Sequence, residues 1–418
     1  MCFRRAAAIA ALIVAAAAGS SRGQDERASD PRRLAILNPA EGGPDFADQG
    51  EYAGQVFVRD GNAWRTRPSG LQVAALGDGQ FLGVLYAGGL PGAGWDRSER
   101  LPLGGSRTAS GVELEGDGTY VTIAGGTAKL ASGRRLLVGE LRKVHRASPT
   151  LGLRGPAGAR VLFDGTSTGR LRAGRMASDG LLMEGAEFAT PRDFSLHVEF
   201  LLPYMPQARG QGRANSGVYL QSRYEVQILD SFALEGAENE CGALYRQRRP
   251  SVNMCLPPLV WQTYDIDFTS PRFDARGAKV RNARLTVRHN GTVIHDNVEV
   301  LAKTGAGATE GASVLPTKLQ DHGNPVRFRN VWLVDRERIR TVSHAGAGGV
   351  AGAVPPTWPS RVHGRAGPAH VPWGTPTSPG VRVGRPSSIG FHGELYGPYS
   401  GAFGPQYGIP SYGLGGVP

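Results

Sequence analysis

Apolar and polar residues alternate with a period of two over most of the chain between about residues 36 and 336, and long helical periodicity is nearly absent. Residues 36–158 hold short runs of β-type residues between glycine clusters: Gln55-Val-Phe-Val58, Leu71-Gln-Val-Ala-Ala-Leu76, Gln80-Phe-Leu-Gly-Val-Leu-Tyr86 and Tyr120-Val-Thr-Ile123. Short strands at regular spacing with Gly-rich turns predict a small all-β domain. Residues 159–336 alternate more strictly, in Phe194–Leu202, Ser216–Gln221, Tyr224–Leu229, Tyr264–Phe268, Ala283–Arg288 and Val326–Leu333. Within them Asn290-Gly291 is a strong two-residue hairpin signal. About 175 residues of this pattern predict a β-sandwich, with one polar sheet face available to a ligand.

The two ends differ in composition. Arg4 and Arg5 precede thirteen apolar residues, Ala6–Ala18, and then Gly19, Ser20 and Ser21. That order predicts a signal peptide over 1–20 and an exported, periplasmic or envelope-associated protein. Thirteen residues are too few to span a bilayer, so no transmembrane span is expected after cleavage. Residues 21–35 read as a disordered lead. Residues 341–418 hold 18 Gly and 12 Pro among 78 residues, too little apolar surface to offset ordering entropy, and read as a disordered tail. The formal net charge of +11 comes from 42 Arg and 5 Lys scattered among acids. No nucleic-acid-binding motif accompanies them, so no nucleic-acid partner is expected. Gly88–Trp95 is rich in glycine, but no Lys-Ser/Thr closes it, so it reads as a turn rather than a phosphate loop.

Beyond the leader the cysteines are Cys241 and Cys255, fourteen positions apart with no His or acid between them. In an exported chain that pair predicts one disulfide worth roughly 3 kcal/mol.

Seven motifs occur in order across the third stretch: Val161-Leu-Phe-Asp-Gly-Thr166, Ala214-Asn-Ser-Gly-Val-Tyr-Leu-Gln221, Tyr224-Glu-Val-Gln-Ile-Leu-Asp230, Cys241-Gly-Ala-Leu-Tyr245, Trp261-Gln-Thr-Tyr-Asp-Ile266, Val287-Arg-His-Asn-Gly291 and Leu319-Gln-Asp-His-Gly-Asn-Pro-Val-Arg-Phe-Arg-Asn330. Together they resemble the 3-keto-disaccharide hydrolase family, associated with 3-keto-glycoside 1,2-lyase and 3-keto-2-hydroxy-glucal hydratase activities. The resemblance spans about residues 160–335 and implies a concanavalin-like jelly-roll sandwich acting on sugars. The preceding β domain resembles a companion module of planctomycete-type exported versions. The sequence departs from the family where Thr168-Gly-Arg-Leu171 stands in place of a Gly-Trp continuation.

The implied chemistry needs a base for the C2 proton, donors at the enolate oxygen and an acid for the leaving oxygen. Its substrate is a 3-keto-glycoside, or another sugar, and an upstream glycoside 3-oxidoreductase would supply the ketone. In Tyr224–Leu229, alternation puts Glu225 and Gln227 on one face, with Asp230 at the end. Glu225 is the first candidate for the base; otherwise it is a solvated strand carboxylate. His322 is a candidate acid, base or ligand. Arg327 and Arg329 share a face, and Arg327 is the candidate for holding the enolate through its planar fork. Asn215, Ser216, Asn324 and Tyr245 are candidate sugar contacts, or else turn and packing residues. Glu238 and Glu240, with Asp230 and His322, form a possible oxygen-rich site for a divalent metal ion; no cofactor is otherwise expected. Trp261 and Trp332 read as core, and His197 and His289 as structural or exposed. Gln227 occupies the position where a paired-carboxylate glycosidase would carry its second acid, which argues against ordinary glycoside hydrolysis. A binding-only sandwich remains the alternative in another class.

Overall fold

In the computed structural model the described residues are 30–133, 136–337 and 358. The predicted signal peptide (1–20) lies outside them, as does the tail apart from Trp358. Of the expected disordered lead, residues 30–35 are described, and Pro31–Arg33 form a 3₁₀ turn capped by Asp30. Among the described residues no helix is long and apolar enough to cross a membrane.

The first β region closes into a barrel. Its strands are β1 (Gly50–Asp60), β2 (Ala63–Ala75), β3 (Gln80–Ala87), β4 (Arg100–Thr108), β5 (Gly111–Gly116), β6 (Thr119–Ala124), β7 (Thr127–Ser132) and β8 (Leu136–Val144). Each pairs antiparallel with the next, and β8 returns to β1 through Glu51↔Val144 to Val56↔Gly139. Alternate residues (Tyr52, Leu71, Val73, Phe81, Leu114, Val121, Ile123, Leu130, Leu141) fill the interior. Their outward neighbours Ala74, Val84 and Tyr86 join the core of the following domain. At that junction the carboxylate of Glu51 is buried against Arg146 and accepts from Gln72 Nε2 at 2.9 Å.

The second region is a two-sheet sandwich with short flanking pieces. Its strands are β9 (Arg160–Phe163), β10 (Leu182–Met183), β11 (Glu187–Phe188), β12 (Asp193–Leu201), β13 (Ser216–Leu220), β14 (Tyr224–Ile228), β15 (Trp261–Thr269), β16 (Arg272–Phe273), β17 (Lys279–Arg281), β18 (Ala283–His289), β19 (Thr292–Val300), β20 (Thr317–Leu319) and β21 (Arg327–Asp335). One sheet runs β10-β21-β12-β15-β18-β19, with β9 also on β21; the other runs β11-β20-β13-β14. The all-β expectation holds. Asn290 and Gly291 both take positive φ (49° and 74°) between β18 and β19, as a type I′ hairpin requires.

The core lies between the sheets. Phe194, Leu196, Val198, Phe200, Tyr264, Ile266, Phe268 and Phe328 from the larger sheet meet Val218, Leu220, Tyr224, Val226 and Ile228 from the smaller. Alternation then fixes what faces away. On the smaller sheet it is Gly217, Tyr219, Glu225, Gln227 and Lys318; on the larger it is Ser195, His197, Glu199, Thr263, Asp265 and Arg329.

The expected disulfide is not formed. Cys241 and Cys255 are free, fully buried thiols within hydrogen-bonding reach of each other. Cys241 Sγ also lies 3.2 Å from Tyr264 Oη, and Cys255 Sγ faces backbone carbonyls. The sequence spacing brought the pair together, and polar neighbours satisfy both sulfurs without a bond between them.

Candidate functional site

Strands β13 and β14 place Glu225 opposite Tyr219, and Gln227 opposite Gly217. The Glu225 side chain is 2% exposed. Its backbone N–H donates to Thr304 Oγ1 at 2.7 Å, and the phenol of Tyr219 donates to Oε2 at 2.7 Å. The other oxygen, Oε1, lies over Gly217, where a Cβ would stand 2.5 Å from it. A glycine here makes room for the carboxylate, with which a Cβ would collide. No cation pairs with Glu225 among the described residues. Burial therefore pushes its pKa up to about 7, against the smaller opposing pull of the Tyr219 hydrogen bond. Burial first, and then the carboxylate, push the Tyr219 phenol up as well, far above its ordinary value, so it stays a donor.

A loop roofs this strand edge. Leu244 bridges to Val226, and Tyr245 N donates to Glu225 O at 3.2 Å. The Tyr245 ring packs by Gly305, whose own added Cβ would meet it at 2.9 Å and Glu225 Oε2 at 3.9 Å. At the other end Gln227 Nε2 donates to Gln211 Oε1 at 3.0 Å, and Asn215 Nδ2 donates to Gln211 O at 2.8 Å. Asn324 Oδ1 accepts from Asn215 N at 2.7 Å. The structure thus gathers Glu225, Gln227, Asn215, Tyr245 and Asn324, and adds Tyr219 and Gln211.

Five expected site residues are placed elsewhere, left exposed or already committed. Ser216 faces the core side and donates to Gln320 O at 2.7 Å. Asp230 forms a buried ion pair with Arg213 at 2.6 Å, and Arg213 also reaches Ala75 O of the barrel, so this acid joins the two domains. Arg327 and Arg329 do share a face, but it is the outer face of the larger sheet. Arg327 Nη1 lies 3.5 Å from Glu184 Oε2, and Arg329 Nε donates to Glu199 Oε2 at 2.7 Å while its guanidinium sits 3.9 Å from the Trp261 ring centre. His322 is exposed on a loop whose ends touch β13 through Gln320 and Asn324. Among the described residues no group of His, Cys, Asp and Glu could hold a metal ion. The suggested acids do not converge: Asp230 is paired with Arg213, and Glu240 accepts the N–H groups of Gly236 and Ala237.

The other polar face holds what sequence reading passed over. His197 Nδ1 lies 2.6 Å from Asp265 Oδ1, with Glu199 and Asn330 by its Nε2. Thr150 donates to Asp265 at 2.7 Å and Gly152 N to Glu199 at 2.5 Å, so the interdomain linker covers the cluster. Trp332 stacks on His197, and Trp358 on Trp332 with centres 5.6 Å apart. Trp332 is therefore buried outside the sandwich core, and one residue of the expected disordered tail is packed. The partners overcome burial and hold Glu199 down to about 2.

With the geometry in place, the comparisons can be set beside it. Residues 158–334 match the family model of the 3-keto-alpha-glucoside-1,2-lyase-like domain. Every residue named around Glu225 lies within the matched segment, and the barrel precedes it. Two crystal structures from Parabacteroides distasonis, each provisionally described as a glycosyl hydrolase, resemble the chain. One shares 29% identity over 43% of this chain and 84% of its own, with a TM-score of 0.38; the other shares 16% over 43% and 94%, with 0.32. No curated protein matches. The family match supports a carbohydrate-active role for the matched segment.

Proposed function

We propose that the sandwich is a lyase of 3-keto-glycosides with Glu225 as its base. The observation that supports this most is a buried carboxylate with no cation beside it, one oxygen free and its pKa near 7. A structural acid in that setting would be paired; a base for a carbon acid gains from this environment. The C3 ketone acidifies the C2 proton. Glu225 takes that proton, the electron pair forms the C2–C1 double bond by way of the enolate, and the C1–O bond breaks to release the aglycone, whose oxygen takes up a proton from water while protonated Glu225 returns its own to solvent. Gln227, Asn215 and Gln211 present amides at one end of the carboxylate, and Tyr245 an aromatic face at the other, suited to hydroxyls and to a pyranose ring. Addition of water to the resulting glucal would complete a net hydrolysis. In this reading an exported protein works on sugars after a separate oxidation at C3.

The test is to give the purified protein a 3-keto-glucoside and follow enone absorbance and aglycone release beside Glu225→Gln. Turnover that vanishes in the variant supports the elimination. Binding of the sugar by the parent protein with neither signal would leave a binding-only sandwich.

A further inference from the structure

The row of polar residues continues past Tyr219. Register puts Lys318 of β20 opposite Tyr219 and Glu187 of β11 opposite Lys318, on the same outward face as Glu225. Lys318 Nζ lies 3.2 Å from Glu187 Oε1. At the far end of the row, a cleft of about 410 Å³ is lined by Arg170, Arg172, Glu187, Phe188, Val314 and Pro316, among others. Three strand spacings separate Glu187 from Glu225, roughly 14 Å. The opposite direction is closed by the Leu244–Tyr245 loop and Gly305. Along the strand row, a sugar held at Glu225 therefore extends across β13 and β20 toward this cleft.

The cleft's charge is unbalanced. Arg172 lies 3.7 Å from Glu187, which Lys318 already engages, and its side chain is 82% exposed. Arg170 donates to Val161 O and makes no ion pair among the described residues. Asp164 is held by Thr166 and feels the Arg170 charge only as a minor influence. Two guanidinium groups thus line the cleft with one carboxylate, which Lys318 engages from outside it, beside an apolar wall of Val314, Leu315 and Pro316.

We propose that this cleft is the aglycone subsite and that it favours a leaving group one or two rings long carrying a carboxylate. The inference rests on the lyase reading for its direction, because the leaving group must point from C1 at Glu225 toward the cleft. A guanidinium pair gives a carboxylate charge-assisted bonds, and the apolar wall takes the ring.

Two matched aryl 3-keto-glucosides test it, one with a para-carboxylate and one with the para-carboxamide. The expected result is about a tenfold preference in kcat/KM for the carboxylate at low salt, shrinking as salt rises. The Arg170→Gln, Arg172→Gln double variant should lose that preference, the ratio of the two kcat/KM values falling to about one. Equal use by the parent protein, or a preference that survives in the double variant, overturns the subsite. If neither compound is turned over, the lyase reading fails by itself, and equilibrium binding of the same two compounds decides the subsite: carboxylate-dependent affinity lost in the double variant supports it, and equal affinity overturns it.

Discussion

Two carboxylates on two strands of one sandwich meet burial in opposite ways. Glu199 is surrounded by His197, Arg329, Asn330 and the N–H of Gly152, and its pKa falls to about 2. Glu225 is just as deeply placed but has a phenol for its hydrogen-bonding partner, and its pKa rises to about 7. Full pairing turns a buried charge into a fastening; the absence of a cation leaves a group able to exchange its proton near neutral pH. The lesson is that burial alone does not mark a site: the partner list does.

The comparison breaks most sharply with the base removed. Glu225→Gln should lower turnover of a 3-keto-glucoside by about a thousandfold, as loss of a general base does, with an unchanged or higher thermal midpoint. Glu199→Gln should do the reverse. It should cost about 3 kcal/mol in urea unfolding, by leaving the charges of Arg329 and His197 without their partner, while the folded fraction keeps its turnover.

The pH dependence separates the two next. kcat/KM should rise with pH to a plateau, with its midpoint near pH 7 where Glu225 ionises. Tyr219→Phe removes the hydrogen bond that favours the carboxylate, so the midpoint should move up by about one unit; an unmoved midpoint would make Tyr219 mere packing. Stability follows opposite signs. The contribution of Glu199, lowered from 4.5, is complete above pH 4.5 and lost as pH falls toward 2. Glu225, raised from 4.5, destabilises progressively as pH climbs from 4.5 to about 7. Unfolding measured across that upper window should show a decline in the parent protein that Glu225→Gln removes. The smallest effect expected is about 1 kcal/mol lost in Trp358→Ala, from the stacking on Trp332, with turnover unaffected.

Much of this was legible from alternation. The strand Tyr224–Ile228 showed Glu225 and Gln227 on one face, and Asn290-Gly291 marked its hairpin, because both are local backbone matters. Arg327 and Arg329 were also read correctly as sharing a face. What period two does not reveal is which sheet a strand joins, and β21 lies in the larger sheet, away from Glu225. His197 was hidden for a related reason: its strand shows that it leaves the core, but not that linker and tryptophans cover it. Tyr219 sat in a quoted motif and became visible as a partner only through the β13–β14 register. Ser216 and Asp230 have sugar-binding chemistry, yet a carbonyl and a guanidinium already use it.

The cover over Glu199 and Asp265 bears on where the second domain begins. The matched segment starts at residue 158, but Thr150 and Gly152 supply hydrogen bonds to those two acids, and Leu153 O accepts from Asn330 and Trp332. A fragment cut at the border of sequence similarity would strip the lid from an interior set of charges and strand their donors. Any piece of this sandwich that keeps those charges covered therefore has to carry the stretch from about Ser148 onward, although that stretch belongs to neither repeating pattern.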